Sequence, residues 1–351
     1  MKITTSDFRK ILLIQTAFLG DVIMTTPLIR GLNEIFPEAE ISVITTPASA
    51  ILFKYNPYVR NLYTFDKKQL VKKWFNFFKL VRLLRRERFE LAVSAHLSLT
   101  TSLLLILGGI PVRVGFARQR GLTDPVQLPE SGMHMTRRYL HLLSLFGYHS
   151  LNPQTELFWS EKEDEKAGQF LSSLIESPSP KIGIAPGSVW ATKRWPADYF
   201  IQLLQFLGDK EYQFVFLGGP EDRNLCERII TQSGQKALNG AGALNLLESA
   251  AVIQKLDLMI SNDSAPLHMA NAVQTPVFAI FGPTVERFGC FPIGPKDRVF
   301  EVDLYCRPCS KHGSNTCPEG HFRCMLEIKP EMVAGRVRHF FNKSNKGRRN
   351  R

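Results

Sequence analysis

The sequence KIGIAPGSVWATKRWP, residues 181–196, joins a short apolar run to a loop that contains glycine, a hydroxyl group and two cations. Residues 181–185 are predicted to form a buried strand, and Pro196 is predicted to open the next helix. The loop N–H groups, the Ser188 hydroxyl and the charges of Lys193 and Arg194 suit a diphosphate, although a solvated basic turn would have the same composition. The Walker pattern is missing from this stretch, so a P-loop NTPase is not predicted.

Strand and helix patterns alternate on both sides of this stretch. Helical spacing covers residues 22–36 and 161–175, and further strands are predicted at 11–14, 41–44, 91–93, 214–217, 256–260 and 277–281. This alternation predicts parallel sheets built from βαβ units. Because 351 residues exceed the roughly 250–300 that a single core supports, we predict an α/β protein with two doubly wound domains facing a cleft.

The domain boundary is predicted within residues 151–180, which include the linker-like Ser177-Pro178-Ser179-Pro180. We expect an N-terminal domain over 1–165, a C-terminal domain over 181–328, and a C-terminal helix and basic tail over 329–351, disordered from Lys343. Ligands of such sheets bind beyond the carboxyl ends of the strands, so the loops that follow strands are the candidate sites.

The loop after the first strand contains Gly20 and Asp21. It lacks the GxGxxG pattern of dinucleotide-binding folds. The carboxylate of Asp21 could act as a general base on a substrate hydroxyl at the mouth of the cleft. The alternative is that Asp21 only caps the N-terminus of the helix that follows.

Two more loops of the second half follow strands. Asp263 or Ser264 would cap a helix that starts near Ala265, so that its N–H groups face an anion, and His268 would lie one turn further on, in a structural or a catalytic role. Gly282 and Thr284 directly follow the strand at 277–281. Together these loops predict a pocket for a nucleotide diphosphate.

The chain carries a net charge of +12, with a pI of about 9.5, which indicates an anionic partner. Residues 67–88 hold nine basic side chains against Glu87, interleaved with aromatic and aliphatic residues. This pattern is typical of an amphipathic helix at an anionic interface, or of a helix packed on the core with a solvated charged face. Nucleic acid would also suit it, but no nucleic-acid motif accompanies it.

The apolar stretch at 97–110 is shorter than the roughly 18 residues that span a membrane, so we predict a core helix there. The first residues do not resemble a signal peptide. These features predict a cytoplasmic protein that does not cross the membrane.

Four cysteines cluster near the end of the chain: Cys306, Cys309, Cys317 and Cys324. With His321 among them, they could hold a structural zinc ion. Free thiols that shape a loop are the main alternative, and a reducing compartment disfavours disulfides.

These motifs together resemble the ADP-heptose:lipopolysaccharide heptosyltransferases, glycosyltransferase family 9, from Ile11 to about Val333. The resemblance rests on Gly20-Asp21 with Thr26-Pro27-Leu28, on the 186–196 loop, on Asn262 to His268 and on Gly282-Pro283-Thr284. The first loop and the cysteine cluster resemble the second heptosyltransferase of the pathway more than the first. The resemblance implies the GT-B fold, with two Rossmann-like domains, and an inverting transferase that requires no bound metal or other cofactor.

The resemblance also implies residue roles. Asp21 matches the proposed base that deprotonates the acceptor hydroxyl. The predicted donor-binding residues are Ser188, Lys193, Arg194, Glu221, Asp222, Asp263, Ser264, Ala265, His268, Gly282 and Thr284. Glu221 and Asp222 are equivalent candidates for the adenosine ribose, and Ala265 stands where family members often have glycine.

The predicted acceptor-binding residues are Gly20, Lys72, Lys73 and Arg82, facing a heptosyl-Kdo2-lipid A type acceptor. We expect a monomer at the cytoplasmic face of the inner membrane that uses ADP-heptose and no nucleic acid. The alternatives are a GT-B transferase with another nucleotide sugar or acceptor, a basic nucleic-acid-binding protein, and an ADP-sugar-binding module without catalysis.

Overall fold

The computed structural model describes residues 8–66, 70–129, 132–149, 152–174, 179–208 and 210–349, with side chains for all of these except 70–73 and 344–349. The chain divides into two compact units, Met1–Ser160 and Glu161–Arg351. Each unit is built around its own parallel sheet.

The first unit contains a six-stranded sheet in the order β3-β2-β1-β4-β5-β6, and every neighbouring pair is parallel. Its strands are β1 (Lys10–Ile14), β2 (Glu40–Thr45), β3 (Asn61–Thr64), β4 (Leu91–Ser94), β5 (Val112–Phe116) and β6 (Asp124–Val126). Its helices are α1 (Leu19–Met24), α2 (Thr26–Ile35), α3 (Pro47–Ala50), α4 (Leu70–Glu87), α5 (Leu99–Leu107) and α6 (Met135–His141).

The second unit repeats this topology, with the order β12-β11-β10-β7-β8-β9 and parallel pairing throughout. Its strands are β7 (Lys181–Ala185), β8 (Gln213–Phe216), β9 (Ala237–Asn239), β10 (Leu258–Asn262), β11 (Val277–Ile280) and β12 (Arg298–Phe300). Its helices are α7 (Glu161–Leu171), α8 (Ala197–Leu207), α9 (Arg223–Ser233), α10 (Leu246–Gln254), α11 (Ala265–Ala272), α12 (Arg323–Leu326) and α13 (Pro330–Arg349).

The predicted α/β class, with two doubly wound parallel sheets, is confirmed. Each of the seven predicted strands is present to within two residues at either end, because fully buried strands give continuous apolar runs. Five strands were missed: β3, β5, β6, β9 and β12. They lie toward the sheet edges, where fewer residues are fully buried and the apolar signal is weaker.

The helix predicted over 22–36 is in fact two helices, α1 and α2, which meet at Thr25. Pro27 has no N–H group to donate to the carbonyl of Ile23, four residues earlier. The Thr26 hydroxyl donates to that carbonyl instead, at 2.9 Å. The proline therefore explains why the helix is broken here.

Helix α7 belongs to the second unit, although residues 161–165 were assigned to the first domain from sequence. It packs on α10, with ion pairs from Lys166 to Glu248 at 2.8 Å and from Lys255 to Asp164 at 2.8 Å. Likewise α13 packs on α8 and continues through Arg349, into the segment predicted to be disordered.

The 97–110 stretch forms α5, but it is only half a core helix. Leu104 and Leu105 are buried, whereas Leu99, Leu103 and Ile106 are exposed. In the described part of the chain, no helix is both long enough and apolar enough to cross a membrane.

Candidate functional site

Both units place their candidate loops at the point where the strand order reverses. In the first unit β1 lies beside β4, and in the second unit β7 lies beside β10. The crossover connections leave these adjacent strands in opposite directions, which opens a crevice at their carboxyl ends where ligands bind. The loops after β1, β7 and β10 carry most of the predicted site residues.

Asp21 lies in the first turn of α1, and the residue at the N-cap position is Phe18. The alternative that Asp21 is the helix cap is therefore wrong. The Tyr139 hydroxyl, from α6, donates to Oδ1 of Asp21 at 3.2 Å, and Tyr139 is buried. A buried phenol thus orients one carboxylate oxygen of the predicted base, next to Gly20.

Two polar side chains, those of Gln15 and Thr16, hold the loop that precedes Asp21. The amide of the fully buried Gln15 donates to Thr25 Oγ1 at 3.1 Å and accepts from the Ala17 N–H at 3.2 Å. Thr16 Oγ1 lies 3.0 Å from Nδ1 of His96, which follows β4. The loops after β1 and β4 are therefore connected to each other at the switch point.

In the second unit, Lys193, Asp263 and Thr284 form a connected cluster. Lys193 Nζ lies 2.6 Å from Asp263 Oδ2, and the Thr284 hydroxyl donates to the same oxygen at 2.6 Å. The side chains of Lys193 and Asp263 are only 13% and 5% exposed. The carboxylate fixes the ammonium group, which has three donors in all, so further donors of Lys193 can reach a phosphate.

Asn262 was named from sequence only as the first residue of a motif, and it connects the loops around this cluster. Its side-chain N–H donates to the Pro186 carbonyl at 2.7 Å, and its Oδ1 accepts from the Trp195 N–H at 3.1 Å. Both ends of the loop after β7 are thereby fixed to the end of β10. Within that loop, Arg194 is exposed and its Nε donates to the Ser188 carbonyl at 2.7 Å.

The structure distinguishes Glu221 from Asp222. The Asp222 carboxylate accepts from the Gly219 N–H at 3.1 Å and lies where a Cβ atom on Gly187 or Gly218 would stand. Burial raises the pKa of Asp222, and the bond from Gly219 opposes this. Glu221 is exposed, so Asp222 supports the loop while Glu221 faces solvent.

Helix α11 begins directly after Ser264, with Ala265 as its first residue. The Ser264 hydroxyl donates to the Asn262 carbonyl at 3.4 Å rather than capping the helix. This end of α11 carries the partial positive charge that favours an anion. His268 lies one turn further on and is buried.

The cysteine-rich segment supports the loops that carry Lys193 and Thr284. Arg307, whose side chain is only 5% exposed, donates to the carbonyls of Gly282 at 2.5 Å, Thr284 at 2.9 Å and Val302. Ser314 exchanges hydrogen bonds with Thr192, whose hydroxyl donates to the Ser314 carbonyl at 2.8 Å. These contacts join the segment to the loops that carry Lys193 and Thr284.

All six cysteines are free thiols. Burial raises the pKa of Cys309, and it raises the pKa of Cys324 to about 11, which keeps both thiols protonated at neutral pH. Cys306 Sγ lies 3.9 Å from His321 Nε2. Within the described residues, no group of three or more His, Cys, Asp or Glu side chains is arranged to hold a metal ion.

The predicted acceptor cations lie on α4. Arg82 is exposed on this helix, whereas the side chains of Lys72 and Lys73 lie outside the described residues. No role was predicted from sequence for Tyr139, Asn262 or Arg307. Tyr139 gives no local signal, whereas Asn262 immediately precedes the predicted anion-binding helix start and could have been found there.

The profile of glycosyltransferase family 9 (heptosyltransferase) matches residues 77–319. The lipopolysaccharide heptosyltransferase 2 of Escherichia coli strain K12 is 27% identical over 339 residues, or 92% of this chain and 96% of that protein. The lipooligosaccharide heptosyltransferase 2 of Campylobacter jejuni serotype O:2 is 26% identical over 341 residues, or 96% of this chain and 99% of that protein.

Solved structures agree with the fold. The E. coli ADP-heptose lipopolysaccharide heptosyltransferase II has a TM-score of 0.76 at 26% identity and covers 96% of this chain and 99% of its own. A family 9 glycosyltransferase from Veillonella parvula has a TM-score of 0.82 at 24% identity, and the match covers 98% of this chain and 100% of that one. The predicted GT-B fold class, transferase class and family resemblance are confirmed, and the chain belongs to glycosyltransferase family 9, the heptosyltransferases.

Proposed function

We propose that this protein transfers heptose from ADP-L-glycero-D-manno-heptose to the inner core of lipopolysaccharide, on an acceptor of the heptosyl-Kdo2-lipid A type. The observation that carries the proposal is the buried cluster of Lys193, Asp263 and Thr284 at the switch point of the second unit. Relatives of similar length with the name heptosyltransferase 2 support the choice of sugar and acceptor.

The second unit would bind the donor. Lys193, fixed by Asp263, contacts the diphosphate, and the start of α11 at Ser264 and Ala265 faces the same anion. The other donor-binding residues lie on neighbouring elements. Ser188 and Arg194 belong to the loop after β7, and Gly282 and Thr284 belong to the loop after β11. His268 lies in the first turns of α11. Glu221 is the ribose ligand, because it is exposed, whereas Asp222 is half-buried and accepts from the Gly219 N–H.

The first unit would supply the base. Asp21 takes the proton from the acceptor hydroxyl while that oxygen attacks the anomeric carbon in line. The bond from the anomeric carbon to the phosphate oxygen breaks, the configuration inverts, and ADP leaves with the electron pair. Tyr139 acts as a positioning residue, since it holds one oxygen of Asp21 by a hydrogen bond. Lys193 stabilises the negative charge that grows on the leaving diphosphate.

We further propose that the protein acts as a monomer on the cytoplasmic face of the inner membrane, in peripheral contact with it. Exposed cations of α4, among them Arg82, would meet acceptor phosphates and anionic headgroups. Because the reaction relies on Asp21 and Lys193, we propose that no metal ion takes part.

The test is the Asp21→Asn variant, assayed with ADP-heptose and a truncated lipopolysaccharide acceptor, with product mass as the readout. Asparagine keeps the size and the hydrogen bond from Tyr139 but cannot accept the proton. We expect turnover to fall by at least about 100-fold while ADP affinity stays unchanged. Turnover close to wild type would refute Asp21 as the base.

A sugar-nucleotide panel with the wild-type protein addresses the remaining alternatives. Transfer from ADP-heptose but not from UDP- or GDP-sugars supports the proposed donor. Efficient transfer from another nucleotide sugar, or to an unrelated acceptor, would replace the proposed substrates while leaving the family unchanged.

A further inference from the structure

Helix α5 presents an apolar face to solvent. Leu99 is 70% exposed, and Leu103, Ile106 and Leu107 are also exposed, at positions that share one side of the helix. The opposite side, with Leu104 and Leu105, enters the core of the first unit. The sequence of α5, LTTSLLLIL, contains no charged residue. A solvent-facing helix normally carries polar side chains on its outer face, so this face is suited to an apolar partner.

Helix α4 carries a second group of exposed apolar side chains, which are aromatic. Trp74, Phe75 and Phe78 are exposed, and the rings of Trp74 and Phe78 are 6.4 Å apart. The two helices adjoin, because Arg85 Nε of α4 donates to the Leu107 carbonyl of α5 at 2.8 Å. We call the combined set the insertion surface: Trp74, Phe75, Phe78, Leu97, Leu99, Leu103, Ile106 and Leu107.

Positive charge borders the insertion surface. The exposed side of α4 carries four cations after its aromatic residues: Lys79, Arg82, Arg85 and Arg86. The acid within α4, Glu87, is largely covered and pairs with Lys10 at 3.4 Å and Arg86 at 3.3 Å. A second copy of this chain would bring its own cations against these, which is repulsive. An anionic bilayer satisfies both the apolar side chains and the cations.

The insertion surface begins at the carboxyl ends of the strands, close to the loop that leads to the proposed base. The Ala95 N–H, just before α5, donates to the Ile14 carbonyl at the end of β1 at 3.1 Å. Thr16, on the loop that leads to Asp21, contacts His96 at 3.0 Å. Leu97 and Leu99 follow directly, so the start of the insertion surface adjoins the loop that holds Asp21.

We propose that the insertion surface lies in the interface of an anionic bilayer, with α5 along the membrane plane and the cations of α4 at the headgroups. This would set the depth at which the sheet edge meets a lipid-anchored acceptor, a consequence that rests on the proposed function. The membrane contact itself does not depend on heptose transfer, and it deepens the peripheral contact proposed above by naming the surface that makes it.

The first experiment measures sedimentation of the full-length protein with vesicles of phosphatidylethanolamine and phosphatidylglycerol. The test variant is Leu99→Ser/Leu103→Ser/Ile106→Ser. The matched control, Leu145→Ser/Phe206→Ser/Met332→Ser, removes three exposed apolar side chains elsewhere. We expect vesicle partition of the test variant to fall by at least about tenfold and that of the control to stay near wild type. Equal loss in both, or no loss in either, would overturn the proposal.

A second measurement does not rely on a multiple substitution. Tryptophan fluorescence of the wild type should shift to shorter wavelength when anionic vesicles are added, and Trp74→Phe should abolish that shift. Vesicles of phosphatidylcholine alone should bind more weakly, and equal binding would overturn the part assigned to the α4 cations. A wild-type dimer that the triple variant dissociates would assign the surface to a second copy instead.

Turnover separates this proposal from the proposed function. The triple variant should lose activity on acylated acceptor embedded in vesicles and keep wild-type activity on a deacylated, water-soluble acceptor. If neither acceptor is used even by the wild type, the proposed function fails while the vesicle experiments still decide the membrane contact. Loss of activity on the soluble acceptor would show a folding or catalytic defect and overturn the assigned role.

Discussion

Lys193 and Asp263 form the least exposed ion pair found among the described residues, and Thr284 completes it. The sequence alone suggests that both charged groups contact the donor. The geometry indicates unequal roles. Oδ2 of Asp263 accepts hydrogen bonds from Lys193 and Thr284, while Lys193 has further N–H donors for a ligand. Asp263 is therefore a positioning residue in the proposed mechanism.

This arrangement predicts non-additive effects on donor binding. Lys193→Ala should weaken ADP affinity by at least about tenfold, because a charge-assisted contact to the diphosphate is lost. Asp263→Asn should weaken it less, and the double variant should bind about as poorly as Lys193→Ala. Isothermal titration calorimetry with ADP measures all three. Strictly additive losses would show that Asp263 contacts the donor independently of Lys193.

Asp222 predicts a pH dependence of stability. Below 3.8, the usual pKa of an aspartate, the carboxyl is protonated in the folded and the unfolded chain. Burial raises the pKa of Asp222 in the folded state above that ordinary value. At pH values between the unfolded-state pKa and the folded-state pKa, the folded state binds more protons than the unfolded state. The free energy of unfolding therefore falls as pH rises through this window. Asp222→Asn cannot titrate and should become progressively more stable than wild type across that window. Urea denaturation at about pH 3.5 and about pH 6.5 measures the difference.

Glu221→Gln is the counterpart of that variant. Glu221 is exposed and its substitution should leave the stability difference between the two pH values unchanged while weakening ADP binding. A loss of ADP affinity in Asp222→Asn but not in Glu221→Gln would exchange the two roles.

At the scale of elements, the cysteine-rich segment acts through Arg307. Its guanidinium group reaches three carbonyls and Glu301, a combination that the single ammonium of lysine cannot match. Arg307→Lys should lower the free energy of unfolding by roughly 2–4 kcal/mol and also weaken ADP binding, because the loop after β11 loses its support. Urea denaturation and calorimetry measure the two effects.

Arg323→Lys is the control, since Arg323 pairs with Glu327 one helical turn away and both side chains are solvent-exposed. Its effect on stability should stay below about 0.5 kcal/mol. If Arg307→Lys behaves like this control, the segment does not support the donor loop.

The elements also show what pattern reasoning can detect. Strands such as β1 and β10 were predicted because each is buried along its length and therefore apolar throughout. Helix α5 was predicted as a helix but assigned wholly to the core. Its nine residues contain no charge, so the sequence does not distinguish a helix buried on both faces from one buried on a single face. Only the position of α5 at the side of the sheet shows which leucines are exposed.

At the scale of the whole molecule, both units have the same strand order and use the same switch point, but with different chemistry. The first unit places a carboxylate there and the second a lysine and a helix start. Exposed cations of α4 contribute to the net charge of +12, whereas Lys193 is paired with Asp263.

This division of roles predicts that the reaction is independent of metal ions. Exhaustive treatment of the purified enzyme with EDTA should leave turnover within about twofold of the untreated enzyme, because proton transfer and charge stabilisation rest on Asp21 and Lys193. The assay uses buffer freed of divalent ions, with added Mg²⁺ as the comparison. Loss of turnover that Mg²⁺ or Zn²⁺ restores would contradict the proposed mechanism.

The amino-acid sequence by itself determined the alternation of buried strands and helices, the two-unit organisation and the loops that carry Asp21, Lys193 and Asp263. These features depend on local apolar periodicity and on short motifs, which need no knowledge of distant residues. The sequence also identified the family, since the order of the motifs is a property of the chain alone.

Only the tertiary structure decided which groups meet. Tyr139 reaches Asp21 across 118 positions of sequence, and Thr284 and Lys193 converge on one oxygen of Asp263. The surroundings of Glu221 and Asp222 differ only in the folded chain, where Gly187 and Gly218 lie against Asp222 and Glu221 is exposed. Such contacts arise from the packing of elements far apart along the chain, and exposure of the α5 leucines depends on the same packing.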